Sequence, residues 1–253
     1  MKNTLTILFI LFFSASFAQT PDKTTPQGFD FYPTSTYNQI VFHTYYALSY
    51  SEKDEQAEWV AYKLTSKNFN ANIKRTNNFK ADKWVKTESA QLSDYYKSGY
   101  DRGHLAPAGS MKIDKTSMSE SFFMSNMSPQ KPGFNRGIWK RIEEKVRYWT
   151  EINDSIFVVT GPILDNPLGS IGENKVTIPR AYYKTLLGYK NGKAKGLAFV
   201  ISNEKSNASL YKFVTSIDNV EEITGIDFYH NIDNKTQDNV EANKDVKLWF
   251  IGR

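Results

Sequence analysis

The spacing of hydrophobic and polar residues predicts two helices. Between Asn135 and Thr150, apolar residues recur at intervals of three and four, and charged residues fill the positions between them. This pattern is typical of an amphipathic helix with one buried face. A shorter helix is predicted for residues 216–225, where Ser216 would cap the first turn and Gly225 would end the last.

Segments rich in β-branched and aromatic residues predict strands. They are QIVFHTYYALSY (39–50), EWVAYKLT (58–65) and SIFVVTGPIL (155–164), the last with a turn expected at Gly161-Pro162 after the strand. Residues 181–202 read as two strands joined by a tight turn at Asn191-Gly192. Together with the helices, these strands predict an α+β fold with a central, largely antiparallel sheet flanked by helices.

The first 18 residues have the order of features found in a secretory signal peptide. Lys2 provides the positive charge, an apolar run follows, and Ser16-Phe17-Ala18 forms a small-residue cleavage site. A buried first helix or a membrane anchor is the alternative, but the run is shorter than the roughly 20 residues that a span needs. We therefore expect an exported protein without a membrane anchor, either periplasmic or extracellular.

The remaining chain is predicted to have a simple organisation. Residues 19–38 are rich in Pro, Thr and Gly and lack periodicity, which indicates an extended N-terminal arm. Residues 39–253 are expected to form a single domain, because their length suits one domain and no internal repeat or low-complexity block interrupts them.

Composition limits the chemistry that this domain can perform. The chain has no cysteine, which excludes disulfides, thiolate nucleophiles and thiolate zinc sites. Any metal would need oxygen or imidazole ligands, which favours Mg²⁺, Mn²⁺ or Ca²⁺. The formal net charge of +5 and the 15 tyrosines are compatible with a polyanionic partner such as nucleic acid, without establishing one.

Only three histidines are available for proton transfer near neutral pH. His43 alternates with apolar residues, which favours a structural role, and His230 has no recognisable partner pattern. His104 follows Arg102 and Gly103 in the sequence DRGH (101–104). In an extended segment, Arg102 and His104 would share a face, where a guanidinium can bind phosphate and an imidazole can deprotonate water. Alone, the four residues are equally compatible with a salt-bridged turn.

A second group of polar residues lies downstream, in FFMSNMSPQKPGFNRGIWKRIEEKV (122–146). Asn126 lies in a turn, Asn135 begins the predicted amphipathic helix, and Glu143 follows eight positions later. Eight residues make slightly more than two turns, so Glu143 should lie near the Asn135 face. An amide oxygen at Asn135 could ligate a hard cation, and Glu143 could hold one of its waters.

These motifs resemble those of a known family. The segments DRGH, SNMSPQ and NRGIWKRIE, with KRTNNFKAD (74–82), EWVAYKLT and VTGPIL, resemble the DNA/RNA non-specific endonucleases. Each motif is weak by itself, whereas their combination in the family's order is specific. The resemblance extends from about Trp59 to Lys184 and implies a ββα-metal, or His-Me finger, nuclease fold.

The resemblance also implies roles for the candidate residues. His104 matches the general base, Asn135 the single direct protein ligand of Mg²⁺, and Glu143 the residue that holds a metal-bound water. Mn²⁺ or another divalent cation could replace Mg²⁺. Asn126 matches an active-site amide beside these groups.

Two arginines match phosphate-contacting residues of the family. Arg102 is the arginine of DRGH, and Arg75 lies in KRTNNFKAD. The match of Arg75 depends on an alignment across loops that differ in length from those of relatives. These roles predict binding to phosphate rather than to base edges, and therefore little sequence preference.

The expected function is that of a secreted, metal-dependent endonuclease that cleaves DNA and RNA and leaves 5′-phosphate ends. One alternative is a phosphodiesterase of the same fold that acts on small phosphoesters. Another is a secreted nucleic-acid-binding protein without catalysis, which would have no reason to combine His, Asn and Glu. A homodimer is compatible with the sequence, and nothing in it identifies an inhibitor.

Overall fold

The structure is a computed structural model that describes residues 31–69 and 72–249. The predicted signal peptide (1–18) and residues 19–30 of the predicted arm lie outside the described residues. The rest of the arm, residues 31–38, contains neither helix nor strand.

The described residues form eleven strands and five α-helices. The strands are β1 Ile40–Phe42, β2 Tyr46–Ser51, β3 Gln56–Leu64, β4 Asp101–His104, β5 Met127–Gln130, β6 Ser155–Ile163, β7 Ser170–Ile171, β8 Val176–Thr177, β9 Ala181–Lys190, β10 Lys193–Ser202 and β11 Val214–Thr215. The α-helices are α1 Leu92–Tyr95, α2 Lys115–Glu120, α3 Lys140–Glu151, α4 Ile217–Thr224 and α5 Asn234–Ala242. Short 3₁₀ helices occur at Ser66–Asn68, Met124–Asn126, Leu210–Phe213 and Val246–Leu248.

Seven strands form one antiparallel sheet in the order β1-β2-β3-β6-β9-β10-β11. The predicted hairpin is confirmed, because β9 and β10 pair around Asn191 and Gly192, both with positive φ. The predicted helix at residues 216–225 is also confirmed: the Ser216 side chain caps α4, and Gly225 ends it in the left-handed conformation. Two smaller ribbons, β4-β5 and β7-β8, lie outside the main sheet.

Helices cover both faces of the main sheet. Alternate residues of β3 point to opposite faces, so Val60 and Tyr62 belong to one hydrophobic cluster and Trp59 and Ala61 to another. The first cluster is completed by α3, and the second by α4 and α5. This arrangement confirms the predicted α+β class with a central antiparallel sheet flanked by helices.

The predicted strand at residues 39–50 is two strands, β1 and β2, separated by a turn. Backbone N–H of His43 donates to the Tyr46 carbonyl, and His43 Nε2 lies 2.9 Å from Asp82 Oδ2. The imidazole is buried, as a structural role requires, but it lies in the turn rather than in a strand. The break thus coincides with a contact to a partner 39 residues away in sequence.

The turn predicted at Gly161-Pro162 is wrong, because β6 continues through both residues to Ile163.

The predicted helix at residues 135–150 is not regular throughout. Phe134–Trp139 form a π-helical turn in which Gly137 has non-helical torsions, and α3 begins only at Lys140. A π-helical turn is wider than an α-helical one, so it changes the direction in which the residues before α3 point.

Candidate active site

The DRGH segment is extended and forms the ribbon strand β4, which is the condition under which Arg102 and His104 were expected to share a face. His104 lies opposite Met127 of β5. The Gln130 side chain of β5 lies over Gly103 so closely that a Cβ atom there would lie 2.1 Å from Gln130 Cδ. Glycine therefore leaves room for this side chain within the ribbon, while the neighbouring Arg102 and His104 both line one cleft.

This cleft has a volume of about 430 Å³. Its charged and polar lining residues are Arg75, Arg102, His104, Asn135, Arg136, Lys140, Glu143 and Arg147. Five of them are basic and one is acidic, so the cleft favours a polyanion such as a phosphate backbone. It brings together five of the six residues singled out by sequence; Asn126 is not part of the lining.

His104 is a buried imidazole in a basic environment. Burial and the neighbouring charges of Arg75 and Arg102 lower the pKa of His104 to about 3. Its Nε2 atom is buried and has no hydrogen-bond partner among the described residues. The ring is therefore neutral near pH 7 and retains the capacity to accept a proton.

Both arginines beside His104 lie over aromatic rings. The Arg102 Cζ atom is 4.1 Å from the centroid of Phe79, and the Arg75 Cζ atom is 4.8 Å from that of Phe122. A guanidinium that lies on an aromatic face keeps its N–H groups available at the edge, where they can donate to phosphate oxygens.

Asn135 is oriented by the first residue of the ribbon. Its Nδ2 donates to Asp101 Oδ2 at 2.9 Å. Arg136 donates to both carboxylate oxygens of Asp101, at 2.8 and 2.6 Å. The π-helical turn thus allows adjacent residues to bind one carboxylate, and the amide oxygen of Asn135 is left without a partner of its own in this network.

Glu143 lies on α3 among several cations. Burial raises the pKa of its carboxyl group, while the positive charges of Lys184, Arg147 and Arg75 act in the opposite direction. Lys184, in β9, is fully buried; its Nζ lies 4.7 Å from the centroid of Trp139 and has no hydrogen-bond partner among the described residues. Burial lowers the pKa of Lys184.

Asn126 is buried behind His104 rather than exposed in the cleft. Its Nδ2 donates to the carbonyls of Ala106 and Ser121, at 3.0 and 2.8 Å, and its Oδ1 accepts from the N–H of Ala106 at 2.8 Å. Its backbone carbonyl also accepts from Leu105. The side chain therefore braces the backbone that follows His104.

Sequence reasoning missed several residues of the site. Arg147 could have been found, because it follows Glu143 by four residues on a helix and therefore shares its face. Lys184 also left a signal, since a lysine flanked by Tyr183 and Thr185 in a buried strand requires an explanation. The contact between Phe79 and Phe122 left no signal in the sequence, because the two residues belong to distant segments.

One group of acidic side chains in the described chain could hold a cation elsewhere. Carboxylate atoms of Asp218, Glu221 and Glu241 lie within 4.8 Å of one another. Burial raises the pKa of Glu241 to about 8, and the charge of Glu221 adds to this shift. The group lies on α4 and α5, on the opposite face of the main sheet from α3.

None of the helices within residues 31–69 and 72–249 combines the length and the apolar character that crossing a membrane would require.

A ribbon that carries arginine and histidine, packed beside a helix that carries asparagine and glutamate, defines the ββα class of nucleases. The family model described as DNA/RNA non-specific endonuclease matches residues 28–235. The chain belongs to this family and is a nuclease.

Known relatives agree with this assignment. The chain is 30% identical to a nuclease from Nostoc sp. over 242 residues, which cover 89% of this chain and 82% of the relative. It is 33% identical to human mitochondrial nuclease EXOG over 231 residues, and these cover 84% of this chain but only 62% of EXOG. The chain therefore spans about three fifths of the EXOG length.

A solved structure supports the fold. A chain in the crystal structure of the EndoG/EndoGI complex, which concerns the mechanism of EndoG inhibition, is 30% identical to this chain. Its TM-score is 0.74, and the match covers 81% of this chain and 91% of that one.

Proposed function

We propose that this nuclease is a divalent-metal-dependent endonuclease that hydrolyses phosphodiester bonds of DNA and RNA with little sequence specificity and leaves 5′-phosphate ends. One observation carries the proposal: a neutral, buried imidazole at His104 shares a basic cleft with Asn135 and Glu143.

His104 is the general base in this proposal. The imidazole is unprotonated at neutral pH, and a phosphate bound to Arg75 and Arg102 would offset the positive charges that disfavour its protonation, so it can take a proton from an attacking water. Arg102 and Arg75 bind the phosphate and stabilise the negative charge that grows on its oxygens. Asn126 keeps the backbone after His104 in place and does not itself contact the substrate.

The residues of the cleft fit a divalent cation. The bond from Asn135 Nδ2 to Asp101 leaves the amide oxygen as a hard ligand, and Glu143 can hold water beside it. A Mg²⁺ or Mn²⁺ ion at Asn135 would supply positive charge to the phosphate and the departing oxygen. Asp101 would keep the Asn135 ligand atom oriented.

The basic cleft favours a nucleic-acid polymer over a small phosphoester. Lys140 and Arg147 line it in addition to Arg75 and Arg102, while Arg136 is paired with Asp101. The three arginines and the lysine that remain supply more positive charge than one phosphate requires. A polymer could use this charge through successive phosphates, independently of base sequence.

We also propose that the protein is exported to the periplasm or the medium as a single domain, residues 39–253, preceded by an arm, residues 19–38. The sequence of residues 1–18 supports this. Recovery of protein that begins at Gln19 from the periplasm or medium is the expected result; cytoplasmic protein that retains Met1 would contradict it.

The test of activity uses a supercoiled plasmid and bulk RNA, each with Mg²⁺, with Mn²⁺ and with chelator. We expect the wild-type protein to cleave both substrates only with metal, and His104→Ala to lose activity by about 100-fold or more. His230→Ala, which changes an exposed histidine, is the matched control and should retain activity.

Two other outcomes would identify the alternatives. Cleavage of a dinucleotide as readily as of long strands would indicate a phosphodiesterase for small substrates. Metal-independent binding to DNA without cleavage by any divalent cation would indicate a capture protein.

A further inference from the structure

Phe79 and Phe122 form a pair of rings behind the cleft. Their centroids are 4.9 Å apart and their planes are nearly perpendicular. They come from different segments, which are joined by two backbone hydrogen bonds: Lys80 N–H donates to the Phe122 carbonyl, and Met124 N–H donates to the Lys80 carbonyl. The rings of this aromatic pair are therefore held in a defined arrangement.

Three groups of the cleft contact the aromatic pair. Arg102 lies over Phe79, and Arg75 lies over Phe122. His104 makes edge-type contacts with both rings, with centroid distances of 5.9 Å to Phe79 and 4.9 Å to Phe122. The two phenylalanine rings thus contact both arginines and the imidazole.

These contacts matter because no carboxylate of the described chain forms an ion pair with Arg75 or Arg102. Within the described part of the chain, Arg75 Nε donates to Asn77 Oδ1 at 2.7 Å. Two cations side by side repel each other, and long side chains are mobile unless they are held. An aromatic face attracts a guanidinium and leaves its edge free for phosphate.

We propose that Phe79 and Phe122 are positioning residues for phosphodiester hydrolysis. They fix the planes of the two guanidinium groups and the location of the His104 ring, so that all three face the same phosphate. This inference rests on the proposed function, because it assigns the aromatic pair to that reaction.

Phe79 is the better site for a test, since it is half-buried while Phe122 is fully buried. Phe79→Leu keeps an apolar side chain but removes the aromatic face, and Phe79→Tyr keeps the ring. We expect Phe79→Leu to lower kcat/KM on plasmid by about tenfold, mostly through kcat, whereas Phe79→Tyr retains it within about twofold. Melting temperatures of all variants should remain above the assay temperature.

A double-variant experiment tests whether Phe79 acts through Arg102. If it does, Phe79→Leu should cost less activity in the Arg102→Met background than in wild type, with a remainder because Phe79 also contacts His104, whereas independent effects would multiply. The matched control is Trp84→Leu: Trp84 is also partly buried and has Lys83 4.8 Å from its ring centroid, but it does not line the cleft. It should retain full activity.

The inference is overturned if Phe79→Leu is as active as wild type, if Phe79→Tyr loses as much as Phe79→Leu, or if the effects of Phe79→Leu and Arg102→Met multiply. A wild-type protein that cleaves neither DNA nor RNA with any divalent cation would instead remove the proposed function, and this inference with it. The wild-type reaction thus distinguishes the two failures.

Discussion

The buried position of His104, the proposed general base, makes the folded protein less stable at low pH. Its pKa is about 3 in the folded protein, because burial and two arginines disfavour the imidazolium, but near 6.5 in an unfolded chain. The unfolded state therefore binds a proton more readily as the pH falls. The contribution to stability is complete above about pH 6.5 and is lost progressively as the pH falls toward 3.

This linkage predicts how a His104→Gln variant unfolds. Between pH 6.5 and 4, the free energy of unfolding of wild type should fall more steeply than that of the variant, by up to about 1.4 kcal/mol per pH unit. Urea unfolding at pH 4, 5, 6 and 8 measures the difference. His230→Gln, at an exposed histidine, should follow the wild type; equal slopes for wild type and His104→Gln would refute the predicted linkage.

The contribution of Glu241 to stability changes with pH in the opposite direction to that of His104. Its pKa is raised to about 8 in the folded protein, so the folded state holds a proton that the unfolded chain releases near pH 4.5. Its contribution to stability is complete below pH 4.5 and is lost as the pH rises through 8.

Replacement of Glu241 by glutamine mimics the protonated carboxyl group. We expect Glu241→Gln to melt at the same temperature as wild type at pH 4.5 and at a higher temperature at pH 9. Calorimetry at the two pH values measures this, with Asp238→Asn as a control at an exposed position of the same helix. A variant that is less stable than wild type at pH 9 would count against the assigned pKa.

At the scale of elements, the ribbon depends on the absence of a side chain at Gly103. A Gly103→Ala substitution would place a methyl group inside the side chain of Gln130, which is fully buried. Separation of β4 from β5 would displace His104 and Arg102 together. We expect at least a tenfold loss of kcat and a loss of stability of about 1–3 kcal/mol, as for other overpacked sites.

Removal of the obstructing side chain tests this explanation. The double variant Gly103→Ala/Gln130→Ala should recover much of the activity lost in Gly103→Ala, while Gln130→Ala alone serves as the reference. Plasmid cleavage and urea unfolding of the three variants are the measurements. If the double variant is no more active than Gly103→Ala, steric overlap with Gln130 is not the cause.

Elements defined by neighbouring residues were predicted correctly from the sequence. The turn between β9 and β10 follows from Asn191-Gly192, and the limits of α4 follow from Ser216 and Gly225. The turn residues and the capping residues act through neighbouring backbone groups, so these two elements do not depend on tertiary contacts for their limits.

Features fixed by distant partners were not predictable in this way. The break between β1 and β2 accompanies the bond from His43 to Asp82, and the π-helical turn places Asn135 and Arg136 on Asp101, more than 30 residues earlier. The motifs identified the residue types of the site, but they carry no information on these contacts between distant segments. The hydrogen bonds of the Asn126 side chain to Ala106 and Ser121 were not predictable for the same reason.

At the scale of the whole molecule, the basic cleft predicts strongly salt-dependent binding. If the four basic side chains other than Arg136, which is bound to Asp101, neutralise phosphates, the slope of log K against log salt should be about −3.6 for duplex DNA. Lys140→Ala removes one exposed lining charge and should reduce the magnitude of that slope by about 1. Two duplexes of different sequence should lose affinity equally, because phosphate contacts carry no base information.

Fluorescence anisotropy between 50 and 200 mM salt measures these slopes, with a His104→Ala background and chelator to prevent cleavage. Lys193→Ala is the matched control: Lys193 is also an exposed lysine, but it begins β10 at the hairpin and does not line the cleft. Its slope should equal that of the parent protein. Equal reductions for Lys140→Ala and Lys193→Ala would mean that net charge governs binding, and a preference for one duplex would mean that the protein also reads bases or DNA shape.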